Sequence, residues 1–401
     1  MQRRNHRTDI RHLTNRTWAE IDLAAVTANL AAIRGVLDPR VSIMAVVKAD
    51  GYGHGAVPVA QSALRAGATW LGVATVDEGL ALRRARIAAP ILVLGPSAAD
   101  EIAEAVRRRL SLTVSSPEAV TLIARGARRR AAHVHLKVDT GMTRLGVAIG
   151  EVSKVARAIA AAGLRLEGVL THLACADEPG SEMTRDQLTR FESILPGLRR
   201  RYPKLIVHAA NSAAAVLLPR SHYGMVRIGL AMYGLSPGPA VSERVSLRPV
   251  MRLRSRIVRI VRAQPGTAVS YGATYRVLRP TTIATVACGY ADGYPRLAGL
   301  NGEVILDGER VHIAGRVCMD YLMLDAGDRP VRPDGIVDLF GSRVTAEEVA
   351  EWAHTISYEV VCGVGPRVPR VYLETTRPPD VGIRMDPARR TSSRRRIAGR
   401  R

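Results

Sequence analysis

Residues 43–55 read IMAVVKADGYGHG. An apolar run stops at one lysine, Lys48, and a loop with glycines at 51, 53 and 55 follows at once. The run is apolar on every residue, as a strand covered on both faces should be. Similar runs recur at 70–74 (WLGVA), 91–94 (ILVL), 111–114 (SLTV), 134–138 (VHLKV), 167–171 (EGVLT), 205–209 (LIVHA) and 225–230 (MVRIGL). Ala- and Arg-rich helical stretches, such as 77–86 and 181–201, lie between them. Eight strands alternating with helices from about residue 24 to 230 predict a (β/α)8 TIM-type barrel. An open doubly wound sheet is the alternative. The lack of a GxGxxG after the first strand favours the barrel.

The texture changes near residue 235. SPGPAVSERVSLRP (236–249) is a Pro/Ser/Gly-rich boundary, and alternating runs follow at 250–261, 281–287, 303–306, 310–314 and 317–324. Turn signals separate them, so a C-terminal, mainly antiparallel β domain is predicted. The expected organisation is a basic tail over 1–16, the barrel domain over 17–240, the β domain over 241–376 and a second basic tail over 377–401.

The net charge of +22 raises nucleic-acid binding as a rival reading. Residues 1–16 carry five arginines and one aspartate, and residues 377–401 carry nine arginines and two aspartates, so half of the excess sits in the two ends. Such arms hold phosphates weakly. Only 4% of residues are aromatic, too few for a platform that stacks single strands. No apolar run reaches the ~18 residues of a membrane span. Cys175, Cys288, Cys318 and Cys362 lie far apart, so neither a zinc site nor a disulfide framework is suggested, and a reducing cytoplasm is the simplest compartment.

Basic residues total 58, yet only Lys48, Lys137, Lys154 and Lys204 are lysines. Arginine stays charged, whereas a lysine that leaves an apolar strand loses solvent and can serve as a neutral nucleophile. Lys48 and Lys137 both sit at predicted strand ends, and a barrel places its chemistry there.

AVVKADGYGHG closely resembles the cofactor-attachment motif of the alanine racemases. KVDTGMTRLG (137–146), THLACADE (171–178), HAANSAA (208–214), MVRIGLAMYG (225–234), SYGATY (270–275), GYADGYPR (289–296) and GRVCMDYLM (315–323) resemble further motifs of that family, in its order. The resemblance implies a pyridoxal 5′-phosphate enzyme that interconverts L- and D-alanine, built as a homodimer with shared sites and supplying D-alanine for peptidoglycan. Racemisation needs one proton carrier on each face of the substrate carbon. The resemblance assigns these roles to Lys48, which also carries the cofactor, and to Tyr271 of the partner subunit. It implies that Tyr52, His172, Asn211, Ser212, Gly229 and Leu230 hold the cofactor, with Arg227 at its pyridine nitrogen, where a permanent cation restrains side reactions such as transamination. Arg144 and Met319 would bind the substrate carboxylate. Lys137, often carbamylated in the family, would orient Arg144. His208 and Asp320 would support the site, and Tyr290 and Asp177 would line its entrance. No metal is implied. One departure stands out: where many members have a phosphate-contacting tyrosine, GVGPRVPR (363–370) has Pro366, which has neither hydroxyl nor N–H. A racemase of broader specificity and an amino-acid decarboxylase of the same fold type are the alternatives.

Overall fold

The computed structural model describes residues 15–128 and 130–373. The two basic ends therefore lie outside the described residues, apart from Asn15 and Arg16. The first described strand belongs to the second domain's sheet. Strand β1 (Thr17–Asp22) pairs antiparallel with the long strand Met251–Ala263 and parallel with the last strand, Arg370–Leu373. Asp22 ends it and caps helix Leu23–Arg34 by accepting from the Ala24 and Ala25 N–H groups.

Eight parallel strands follow: β2 (Ser42–Val46), β3 (Trp70–Val73), β4 (Ile91–Val93), β5 (Leu112–Val114), β6 (His133–Asp139), β7 (Arg165–Leu170), β8 (Ile206–His208) and β9 (Met225–Ile228). Each lies on or within a residue or two of a predicted run. β9 pairs with β2, β2 with β3 and β3 with β4, while β5, β6, β7 and β8 form a second parallel stretch. The Leu92–Ser111 bridge joins β4 to β5. Hydrogen bonds from Gly224 N to Val207 O (3.1 Å) and from Arg227 N to Ala210 O (3.0 Å) join β8 to β9 and close the barrel.

Strand alternation sorts the side chains. Ile43, Ala45, Val134, Leu136, Val226 and Ile228 face the helices in the main core. Met44, Trp70, Leu92 and Met225 pack with one another inside the barrel. The same parity turns His135, Lys137, His208 and Arg227 inward, so one side of the lumen is polar.

The second domain is antiparallel apart from its pairing with the last strand. Strand Met251–Ala263 (MRLRSRIVRIVRA) alternates buried and partly exposed residues over its first half, as a half-covered strand should. Arg254 lies across it, bonded to Glu20 on β1 (2.8 Å) and to Asp338 on strand Ile336–Phe340 (2.6 Å), tying three strands together. The predicted run at 317–324 is a strand only over Leu322–Asp325. Residues 317–321 leave the sheet instead, which exposes Met319.

Candidate active site

Lys48 follows β2 directly and is half-buried. The backbone then takes an unusual path. Ala49, Asp50, Gly51, Tyr52 and Gly53 all have positive φ, forming a left-handed turn. For Ala49, Asp50 and Tyr52 that conformation costs about 1–2 kcal/mol each, so the surroundings must hold it. Glu78 accepts the Ala49 N–H (2.7 Å) and the Ala74 N–H (2.7 Å), joining the ends of β2 and β3. Asp50 accepts the Ala56 N–H (2.8 Å). From the second domain Arg370 donates to Gly53 O (2.9 Å). A Cβ on Gly53 would collide with Val361 O, so the C-terminal segment can seat itself only on a glycine. Lys48 thus leaves the end of β2 at the barrel mouth, and the chain's own second domain seats on the turn that follows it.

Arg227 is 5% exposed and caged. It donates to the carbonyls of Thr171 (2.9 Å), Ala209 (2.9 Å) and His208 (3.1 Å), and to Nδ1 of His172 (2.9 Å) and of His208 (3.3 Å). Burial pushes its pKa down to about 10 and pushes both imidazoles well below their ordinary value, so the histidines stand neutral and accept from the guanidinium. Lys137, buried at the end of β6, is pushed down to about 8, first by burial and then by the positive charges of Arg144, Arg227 and Lys48. Arg144 itself is exposed on the loop after β6.

At the other end of the mouth, Ser212 Oγ accepts the N–H groups of Gly229 (3.0 Å) and Ala231 (3.4 Å). A Cβ on Gly229 would lie 2.7 Å from Tyr52 Oη. The Tyr52 hydroxyl, the Ser212 hydroxyl and the backbone around Gly229 and Leu230 thus converge. Tyr233 backs Tyr52 with ring centroids 4.8 Å apart and donates to Val46 O (3.0 Å). The Asn211 side chain caps helix Ser212–Leu217 by accepting the Ala214 N–H (3.0 Å) and donates to Leu173 O (3.4 Å), which fixes that loop.

The remaining predicted residues lie apart from this cluster. Tyr271 is 72% exposed, on a turn anchored to the second domain by Ser270 Oγ donating to Arg316 O (2.6 Å). Met319 and Tyr290 are exposed beside one another, since Tyr290 N and Ala291 N donate to the carbonyls of Cys318 and Met319. Asp320 is bonded to Arg367 (2.8 Å), which also holds Asp292 (2.7 Å). Asp177 is exposed on the loop after β7. Pro366 occupies the second position of a turn closed by Val368 N to Gly365 O (3.2 Å), a place that suits proline.

Residues 21–237 match the family description "Alanine racemase, N-terminal domain", and residues 250–372 match "Alanine racemase, C-terminal domain". The chain belongs to the alanine racemase family. It is 46% identical to an alanine racemase of Symbiobacterium thermophilum, with 89% of this chain and 97% of that protein covered. It is 45% identical to an alanine racemase of Desulforamulus reducens, with 89% and 98% covered. The solved alanine racemase of Clostridium difficile 630 superposes with a TM-score of 0.86 at 38% identity, over 90% of this chain and 97% of that one.

Within this alanine racemase fold, the residues that motif reading misses are those that bond to a distant segment. Glu78 reaches across from the helix after β3, Arg370 from the last strand and Arg367 from the turn that holds Pro366. No local pattern marks such partners. Tyr233 lies within the MVRIGLAMYG motif and is legible from it.

The buried histidines imply an acid limit on stability. Burial pushes His54 down to about 4 and lowers His135, His172 and His208 as well. The unfolded chain binds protons at about 6.5 while the folded chain does not, so stability is complete above about pH 6.5 and falls as pH drops toward about 4. His54 alone should account for about 3 kcal/mol over that window. Denaturant titrations of the apoprotein across this range should show the loss, and a flat profile would contradict it.

Proposed function

We infer that this chain interconverts L- and D-alanine, with pyridoxal 5′-phosphate held on Lys48, as a homodimer whose two sites are shared. The observation that carries the reading is the pairing of Lys48 at the barrel mouth with a caged, carboxylate-free Arg227 in the same lumen. The residues present fit the cofactor. The Tyr52 and Ser212 hydroxyls and the Gly229 and Leu230 backbone form a cradle that a side chain at 229 would fill, which suits the phosphate. Arg227 and His172, bonded to one another in the same lumen, would meet the ring. When bound, the cofactor withdraws electrons and so acidifies the α-hydrogen of a substrate amino acid.

The protein then handles the proton. Lys48 Nζ serves one face of the substrate carbon and Tyr271 Oη of the partner subunit serves the other, so the proton removed from one side is replaced from the opposite side. Arg144 and the Met319 N–H take the carboxylate. His208 holds Arg227, Lys137 orients Arg144, and Asp320 fixes the Met319 loop through Arg367. Tyr290 and Asp177 line the approach. The exposed Tyr271, Tyr290, Met319, Leu297 and Leu300 make a surface of the kind that a partner covers, and they support the dimer. No described helix is long and apolar enough to cross a membrane, and all four cysteines are unpaired, which favours work in the cytoplasm. The product would serve peptidoglycan synthesis. Assays of alanine, serine, lysine and arginine for racemisation, with carbon dioxide release followed in parallel, test the reading. Decarboxylation of a basic amino acid without alanine racemisation would overturn it.

We propose in addition that Lys137 carries a carbamate. An ammonium there is opposed by burial and three cations, whereas a carbamate would be an anion among them. The neutral amine adds to carbon dioxide and one proton leaves to solvent. In [13C]bicarbonate the protein should show a carbamate carbonyl resonance that weakens as pH falls below about 8 and is missing in Lys137→Arg. A spectrum without it at higher pH would refute the modification.

A further inference from the structure

We propose that Glu167 is the remote counter-ion of Arg227, coupled to it through His208 and His135, and that it acts as a positioning residue for the ring end of the site. The polar side of the lumen holds a file of groups whose hydrogen-bond directions are forced. A guanidinium only donates, so His208 Nδ1, 3.3 Å from Arg227, accepts and carries no proton. The neutral His208 ring then carries its proton on Nε2, 2.9 Å from His135 Nδ1, which must accept in turn. His135 is left with its proton on Nε2, facing Glu167 Oε2 at 3.5 Å. That distance is long for a hydrogen bond, so the attraction is mainly between the N–H dipole and the carboxylate charge. Ser111 Oγ donates to the same carboxylate oxygen (2.8 Å), and His133 faces the other one at 3.5 Å.

Every donor in the file therefore points from Arg227 toward Glu167. An anion at the far end draws each proton in that direction and makes His208 Nδ1 a stronger acceptor for Arg227. Sterics support a built arrangement. His135 and His208 are both fully buried. A Cβ on Gly168 would collide with His135 Nδ1, so the residue beside Glu167 must lack one. The Trp70 ring meets His135 edge-on at 5.4 Å and leaves the imidazole no other seat. Burial raises the Glu167 carboxyl, but the His135 N–H and Ser111 O–H outweigh it and hold it below its ordinary value, so it stands ionised. Without Glu167, Arg227 would keep its dipolar cage and lose the charge that balances it.

The link to catalysis rests on the racemase reading, but the hydrogen-bond file does not. The test is therefore made first on the apoprotein. In 15N-histidine-labelled wild type at neutral pH, His208 and His135 should both be neutral with the proton on Nε2. Glu167→Gln preserves shape and an acceptor while removing the charge. It should keep both tautomers and move the Nε2–H resonances of His135 and His208 upfield. In the loaded enzyme kcat should fall with KM little changed. Removing a unit charge on the order of ten ångströms from its target, at a protein's effective dielectric, is worth a factor of about ten. Should Glu167→Gln fail to fold, Ser111→Ala, which takes a competing donor off the carboxylate and leaves its charge, should move the same resonances the other way, downfield. Proton on Nδ1 of His208, or His208 signals that neither substitution moves, would overturn the proposal.

Discussion

Lys48→Ala should lose racemisation by roughly 10³-fold or more, and should lose covalent retention of pyridoxal phosphate in the same step. The chain offers few substitutes. Lys154 and Lys204 are exposed on the barrel's outside, on helix Val152–Ala161 and before β8. Arginine, which makes up nearly all the other basic residues, does not give up its proton to become a nucleophile. Lys137 is the one other lysine at the barrel mouth, and it lies buried, with Arg144 among the charges near it. Nor would Lys48→Arg restore activity, since it returns charge and length without a nucleophilic amine. Borohydride reduction followed by peptide mapping checks the assignment directly. In wild type the cofactor should be fixed to the peptide that contains AVVKADGYGHG, and in Lys48→Ala to none. Label on Lys137 in wild type would sink the assignment. The left-handed turn after Lys48 makes the expectation strict. Glu78, Asp50 and Arg370 hold that backbone in a strained form, and their result is the direction in which one amine points.

Much of this arrangement could be read before any coordinates, for a physical reason. Barrel strands are short apolar runs, and the inward parity of MVRI and VHLKV already puts Arg227 and Lys137 in the lumen. What could not be read depends on contacts between distant segments. β1 looks like the start of the barrel region, yet it pairs with strands that begin more than 200 residues later. Strands Ile336–Phe340 and Arg370–Leu373 are not legible in the sequence, because runs of four or five residues in a loop-rich stretch carry little periodicity. The run at 317–324 has a strand's pattern throughout, although CMDY turns outward to present Met319 and only Leu322–Asp325 is strand. Glu167 is legible only once His135 and His208 are seen bonded in file toward it.

Tyr271 is the second large effect, and its test is one of assembly. The phenol that should face Lys48 is 72% exposed in the single chain. It stands on a turn with Ser270 and Ala273 at positive φ, pinned through Arg316 to the second domain. A catalytic phenol needs fixed geometry and a dry site, and neither exists at an exposed turn until something covers it. The chain's own second domain already reaches the barrel mouth by a different route, through Arg370 on Gly53, and the proposed dimer would use the Tyr271 face that this contact leaves exposed. A two-fold dimer buries that face twice and completes two sites together. Lys48→Ala and Tyr271→Ala chains should each be inactive alone. Mixed and allowed to exchange subunits, they form heterodimers with one doubly defective site and one intact site. Activity should then return to about one quarter of wild type, since half of the dimers are mixed and each has one good site of two. Mass spectrometry of the mixture verifies the exchange. Proven exchange with no recovered activity would mean that each chain builds its site alone, and the exposed Tyr271 face would then need another occupant.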